Sequence, residues 1–155
     1  MEKYIIQLIT ATVGSFGFAL IFNVNRRLLL PASLGGLFAW GVYLIFGEAL
    51  GLNLLVANVI AGAFCQIYSE VMARTLKTPA TVICIPAIIP LIPGGALYRT
   101  MYSAVHQDWE MCKFYGYQTL QTALGIAVGL SFVSAVLYIL MNWARQRAQK
   151  KGTPR

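Results

Sequence analysis

Apolar residues fill this chain in five long runs, roughly 4–22, 28–46, 53–73, 79–106 and 118–143, parted by short polar stretches. Each run reaches the ~17–25 residues that a helix needs to cross a hydrocarbon core about 30 Å thick. The partings read NVNRR (23–27), EALGLN (48–53), RTLKT (74–78) and QDWEMCKFYGY (107–117), and a basic tail follows from Arg145. The pattern predicts an all-α integral membrane protein, a single domain over 1–155 built as a bundle of about five transmembrane helices. An odd number of crossings sets the two termini on opposite sides.

The fourth run does not look like an ordinary span. Its centre, IPAIIPLIPGGALYR (85–99), holds three prolines, two adjacent glycines and an arginine. Hydrocarbon offers no water to a freed backbone N–H or C=O, so a helix break survives there only beside protein or a wet cavity. Pro86, Pro90 and Pro93 are spaced by four and three, which places them on one helical face. Each lacks the N–H owed to the carbonyl four residues earlier, so the carbonyls of Val82, Pro86 and Ile89 are expected to be free. Gly94 and Gly95 then let a second half-helix begin, with its first N–H groups pointing back at the break. Half-helices from Ala80 to Ile92 and from Gly95 to His106 together span a bilayer, with the break over Pro90–Gly95 near its middle. Secondary transporters build solute sites at such breaks, using half-helix N-termini for carboxylates and freed carbonyls for cations.

Polar groups inside the runs extend this reading. Arg99 in a span marks an anion site or solute path when it faces a cavity, and the alternative is snorkelling toward the outer surface. Arg99, Ser103, His106 and Glu110 follow i, i+4, i+7 and i+11, a polar stripe opposite Tyr98, Met101, Val105 and Trp109. His106 has no second metal ligand at useful spacing, which leaves an interfacial position or a proton relay. Asn58, Gln66 and Glu70 share a face of the third run. Glu70 either carries a coupling proton or pairs with Arg74 one turn on, and Asn58 lies deep enough to bridge helices.

Composition supports a membrane protein: 58% of the 155 residues are hydrophobic and 11% charged, against about 25% charged in soluble domains. Mean hydropathy is +0.67. The first run is followed by Asn23, Asn25, Arg26 and Arg27 rather than by a small-residue cleavage site, so it is expected to stay as a helix. Net charge is +7, but the basic residues sit at the ends of apolar runs, where they set orientation rather than bind nucleic acid. With the N-terminus outside, the inner side gathers Arg26, Arg27, Arg74, Lys77, Arg145, Arg147, Lys150, Lys151 and Arg155, nine of twelve. This predicts N-out, C-in; the basic tail acts as a topology anchor, or as a contact for lipid headgroups or a partner. Cys65, Cys84 and Cys112 have no metal-binding or disulfide spacing, so no cofactor or metal is expected. Gly14 with Gly17, Ala32 with Gly36, Ala57 with Ala61, and Gly125 with Gly129 offer small faces for close helix packing. The Gly125–Gly129 pair serves either the bundle itself or a homo-oligomer.

Three segments carry a family resemblance: FGFALIFNVNRR (16–27), ANVIAGAFCQIYSEVMAR (57–74) and, most specifically, PAIIPLIPGGALYRTMYSAV (86–105). Over nearly its whole length the chain resembles the small five-helix subunit, or half, of the threonine/serine exporter family of bacterial membrane proteins. The resemblance implies a multi-pass protein of the bacterial cytoplasmic (inner) membrane that exports threonine and serine, or dicarboxylates such as succinate in two-subunit relatives. It implies a separately encoded larger membrane subunit as partner, because nothing precedes the first span. Pro86, Pro90, Pro93, Gly94 and Gly95 carry over as motif positions. Arg99 joins them on physical grounds as a candidate binding residue, with Asn58, Glu70, Ser103 and His106 along a polar path. Against a transporter subunit stands a non-transporting accessory subunit of a larger complex, which the small size favours. An intramembrane enzyme lacks any spaced catalytic set.

Overall fold

The computed structural model describes residues 2–151, except the side chains of Ala144, Arg145 and residues 147–151. The basic tail expected over 145–155 therefore lies partly outside the described residues.

The described residues form six helices and no strand: α1 (Glu2–Ile21), α2 (Arg26–Tyr43), α3 (Leu54–Leu76), α4 (Ala80–Ile88), α5 (Gly94–Val105) and α6 (Trp109–Lys151). A wider π-helical turn, Leu44–Ala49, continues α2, and a tighter 3-10 turn, Ile89–Leu91, continues α4. Four stretches are long and apolar enough to cross a membrane: Glu2–Ile21, Arg26–Ala49, Leu54–Leu76 and Trp109–Trp143. Ala80–Leu91 and Gly94–Val105, bent by 53° at the break between them, make a fifth when taken as one span. The protein is an all-α, multi-pass membrane bundle, as the hydrophobic pattern predicts.

The polar partings work as helix punctuation. At the end of α1, Asn23 takes a left-handed conformation (φ 52°), which asparagine tolerates better than most residues, and Val24 N–H returns to the carbonyl of Ala19 at 3.0 Å. Asn25 then caps α2 by accepting from Arg27 N–H, and Asn53 caps α3 by accepting from Leu55 N–H. Each removes an orphan donor at a helix start. Lys77 closes α3 in the left-handed region (φ 54°), and Pro79 precedes α4. The polar run 107–117 differs from its reading as a parting. Gln107 turns the chain at φ 58°, Asp108 caps by accepting from Met111 N–H at 3.2 Å, and α6 is helical from Trp109.

Small residues set the packing. The buried cluster is Ala39, Ala61, Cys65, Cys84, Ala87, Leu91 and Ile126, as expected where helices associate by close approach rather than by escape from water. The tightest seam joins α3 to α6. A Cβ on Gly125 would lie 2.6 Å from the carbonyl of Leu55, and one on Gly129 would overlap the carbonyl of Val59. The Gly125–Gly129 face is thus occupied within the chain. Gly36 does the same for α2 against Ser15 of α1, whereas Gly14 and Gly17 face open space. Along the seam, Leu55 and Asn58 meet Gly125, Ala63 meets Gly129, and Arg74 meets Met141. Residue numbers rise together, so α3 and α6 run parallel. The α4–α5 pair between them must carry the chain back from one end of the bundle to the other.

Candidate functional site

The break is built by local chemistry. Pro86 and Pro90 cannot donate, and the chain answers by tightening: Ile89 N–H reaches the carbonyl of Pro86, and Ile92 N–H reaches that of Ile89 at 3.2 Å. Two of the three carbonyls expected to be free, Pro86 and Ile89, are thereby satisfied through i→i+3 bonds. The turn itself is made by Ile92 (ψ 129°) and Pro93 (ψ 49°). Neither Gly94 nor Gly95 takes a positive φ; they are the first residues of α5. Gly94 N–H turns back to Ile92 O and Leu97 N–H to Pro93 O. The N–H groups of Gly95 and Ala96 have no acceptor among the described residues, the usual state of a helix N-terminus that meets an anion or water.

Against this break lies a cleft of about 280 Å³, close to the lower end of the roughly 300–1,000 Å³ typical of small-molecule sites. Pro90, Leu91, Ile92, Pro93 and Ala96 form one wall. Trp40 and Tyr43 of α2, with ring centroids 5.0 Å apart, form the second. Asn58 of α3 with Gln118 and Thr122 of α6 form the third. Asn58 is 1% exposed and donates Nδ2–H to the carbonyl of Leu54 at 2.7 Å. The lining is mostly apolar, with polar groups from Asn58, Gln118 and Thr122, and carries no formal charge among the described residues.

The candidate residues divide. Pro90, Pro93 and Asn58 come together in the cleft, with Gly94 and Gly95 at its edge as the exposed start of α5. Pro86 is buried and borders a separate hollow with Phe22, Thr81, Val82 and Ile85. Arg99 is exposed and does not line the cleft. Its Nη1 donates to Tyr115 Oη at 3.1 Å, and its guanidinium lies 5.3 Å from the Tyr115 ring centroid. The stripe expected from Arg99 to Glu110 is split, because α5 stops at Val105 and Glu110 belongs to α6. Ser103 is buried, while His106 is exposed and stacks on Tyr102 at 4.1 Å. Glu70 pairs with Arg74 at 3.5 Å, far along α3 from Asn58.

Sequence reading did not single out Trp40, Tyr43, Gln118 and Thr122. For the last two a signal existed: they stand four apart on α6 and lead into the Gly125–Gly129 face, so they share its direction.

A family model described as "Threonine/Serine exporter, ThrE" matches residues 7–136. The chain belongs to the threonine/serine exporter family. It is similar to a threonine/serine exporter of Corynebacterium glutamicum, at 26% identity over 146 residues. That match covers 93% of this chain but 27% of the relative, so the chain spans about a quarter of that protein's length. No solved structure matches. The whole break segment lies within the matched residues.

Proposed function

We propose that this chain is a transporter subunit that exports a small zwitterionic amino acid of the threonine/serine class, and that the cleft at the α4–α5 break holds it. One observation carries the reading: a broken span opens the unpartnered N–H groups of Gly95 and Ala96 beside an uncharged, mostly apolar cleft into which Asn58, Gln118 and Thr122 bring polar groups. The solute's carboxylate would take the α5 N-terminus. Its ammonium would take side-chain oxygens of Asn58 or Gln118. A dicarboxylate would need a second cation, and Arg99 is engaged with Tyr115 instead; the neutral lining therefore favours amino acids over succinate.

The relative's much greater length supports a larger membrane partner, fused or separate, that closes the pathway. A homo-oligomer would be a second way to close it. Basic residues at the α1–α2 and α3–α4 turns and late in α6 support N-out, C-in in a bacterial cytoplasmic membrane. The test is flux of threonine, serine and succinate into vesicles holding the chain alone or with a larger family partner. Threonine flux that requires the partner and exceeds succinate flux is expected. Succinate flux above threonine flux overturns the substrate reading. If the partner transports equally well without this chain, the subunit is accessory.

A further inference from the structure

Three buried side-chain atoms lack a hydrogen-bond partner among the described residues: Gln7 Oε1, Ser15 Oγ and Trp40 Nε1. They gather around Pro90. Gln7 and Trp40 line, with Thr10, Ala11 and Pro90, a hollow of about 250 Å³ between α1, α2 and the break. Ser15, eight residues after Gln7 and on the same face of α1, is 0% exposed. Its hydroxyl lies so close to Gly36 that a Cβ there would overlap it, and the same Cβ would lie 3.4 Å from Pro90 Cγ.

Helical hydroxyls have a ready acceptor one turn back, and several in this bundle use it. Thr10, Thr12, Ser33, Ser69, Thr100 and Thr119 all donate to a carbonyl four residues earlier. Ser15 does not. An unmet buried polar group is costly, so three beside one broken helix call for a functional explanation. The set comprises an N–H donor, a C=O acceptor and a hydroxyl that is both. That is the hydrogen-bond complement of an alcohol, and it includes no charge.

We propose that Gln7 and Trp40 form a subsite that reads the side-chain hydroxyl of the solute, with Ser15 buried behind it. The inference rests on the reading that the solute's α-amino and carboxylate groups lie in the break cleft. Trp40 and Pro90 line both the cleft and the hollow, so the two adjoin. The alcohol oxygen accepts from Trp40 Nε1–H, the alcohol proton goes to Gln7 Oε1, and Ser15 continues the polar face behind Pro90. Apolar side chains of equal size leave the donor and acceptor unmet, which sets a preference of about tenfold or more for the hydroxylated solute. This makes α1 a specificity element.

The test compares flux of threonine with that of 2-aminobutyrate, which has the same skeleton without the hydroxyl, in vesicles containing the chain and its larger partner. The wild type is expected to favour threonine about tenfold or more. Trp40→Phe keeps a ring and removes the N–H; Gln7→Met keeps length and removes the acceptor. Each is expected to bring the ratio near one while 2-aminobutyrate still moves. A wild type without preference overturns the inference, and so do two variants that keep the wild-type ratio, including by losing both fluxes in proportion. If no threonine moves in any combination, the export reading fails first, and this inference falls with it.

Discussion

Glycine serves opposite ends in two regions of this bundle. In the α3–α6 seam, Gly62, Gly125 and Gly129 are needed for their missing side chains: a Cβ on any of them would come within 3.0 Å of the facing backbone. At the break and along α1, Gly94, Gly95, Gly14 and Gly17 meet nothing within 4 Å. One region is a fixed frame in which backbone touches backbone. The other is open, with hollows on both sides of Pro90 and polar atoms left unmet. Packed seams transmit position faithfully, whereas loosely packed segments are the ones that move and bind. The contrast divides the molecule into a closely packed frame and an open edge.

The largest expected effect breaks the support. Gly129→Val forces branched carbon into the carbonyl of Val59 and the amide of Ala63, and overpacking of this kind costs about 1–3 kcal/mol or more. The expected outcome is a strong drop in thermal stability in detergent, with export lost through misfolding. Next, Asn58→Leu removes a polar wall of the cleft while keeping bulk. It should lower threonine flux about tenfold, the effect of roughly one lost buried hydrogen bond, with folding nearly unchanged. Flux at the wild-type level would remove Asn58 from the site. Arg99→Gln should be milder, a stability loss of about 0.5–1 kcal/mol from its contact with Tyr115 and less than about a twofold change in threonine flux, well under one hydrogen bond. A larger loss of flux at full stability would return Arg99 to the pathway. Least disruptive of all, Gly14→Ala should stabilise by about 0.5–1 kcal/mol, the direction that helix propensity favours. A large penalty there would reveal a surface packed against another chain.

Much of this architecture is legible in the amino-acid order. Twenty-residue apolar runs admit few alternatives, and prolines four and three apart announce a break wherever they fall in a span. The closure of that break is not legible, because whether Pro86 and Ile89 keep free carbonyls depends on a 3-10 turn that sequence cannot distinguish from a simple gap. Arg99 misleads for a related reason. Its cost in a span is real, but it is met by Tyr115, sixteen residues on, across a helical hairpin. Trp40, Gln7 and Ser15 escape notice because each is one polar atom in an apolar run, and only packing shows which of them lacks a partner.

The length of α6 has a consequence for the membrane itself. Trp109 and Trp143, both about 60% exposed, lie at the ends of its apolar stretch, and tryptophan prefers the two interfacial belts. Thirty-four residues rise about 51 Å, more than the ~40–45 Å between the outer faces of a bilayer. Seating both rings in the interfacial belts would require α6 to lean, as long spanning helices do. A leaning helix gauges thickness: longer acyl chains stand it upright, shorter ones lay it down. Because the glycine seam packs α6 backbone against α3, any change in the lean of α6 is shared by α3.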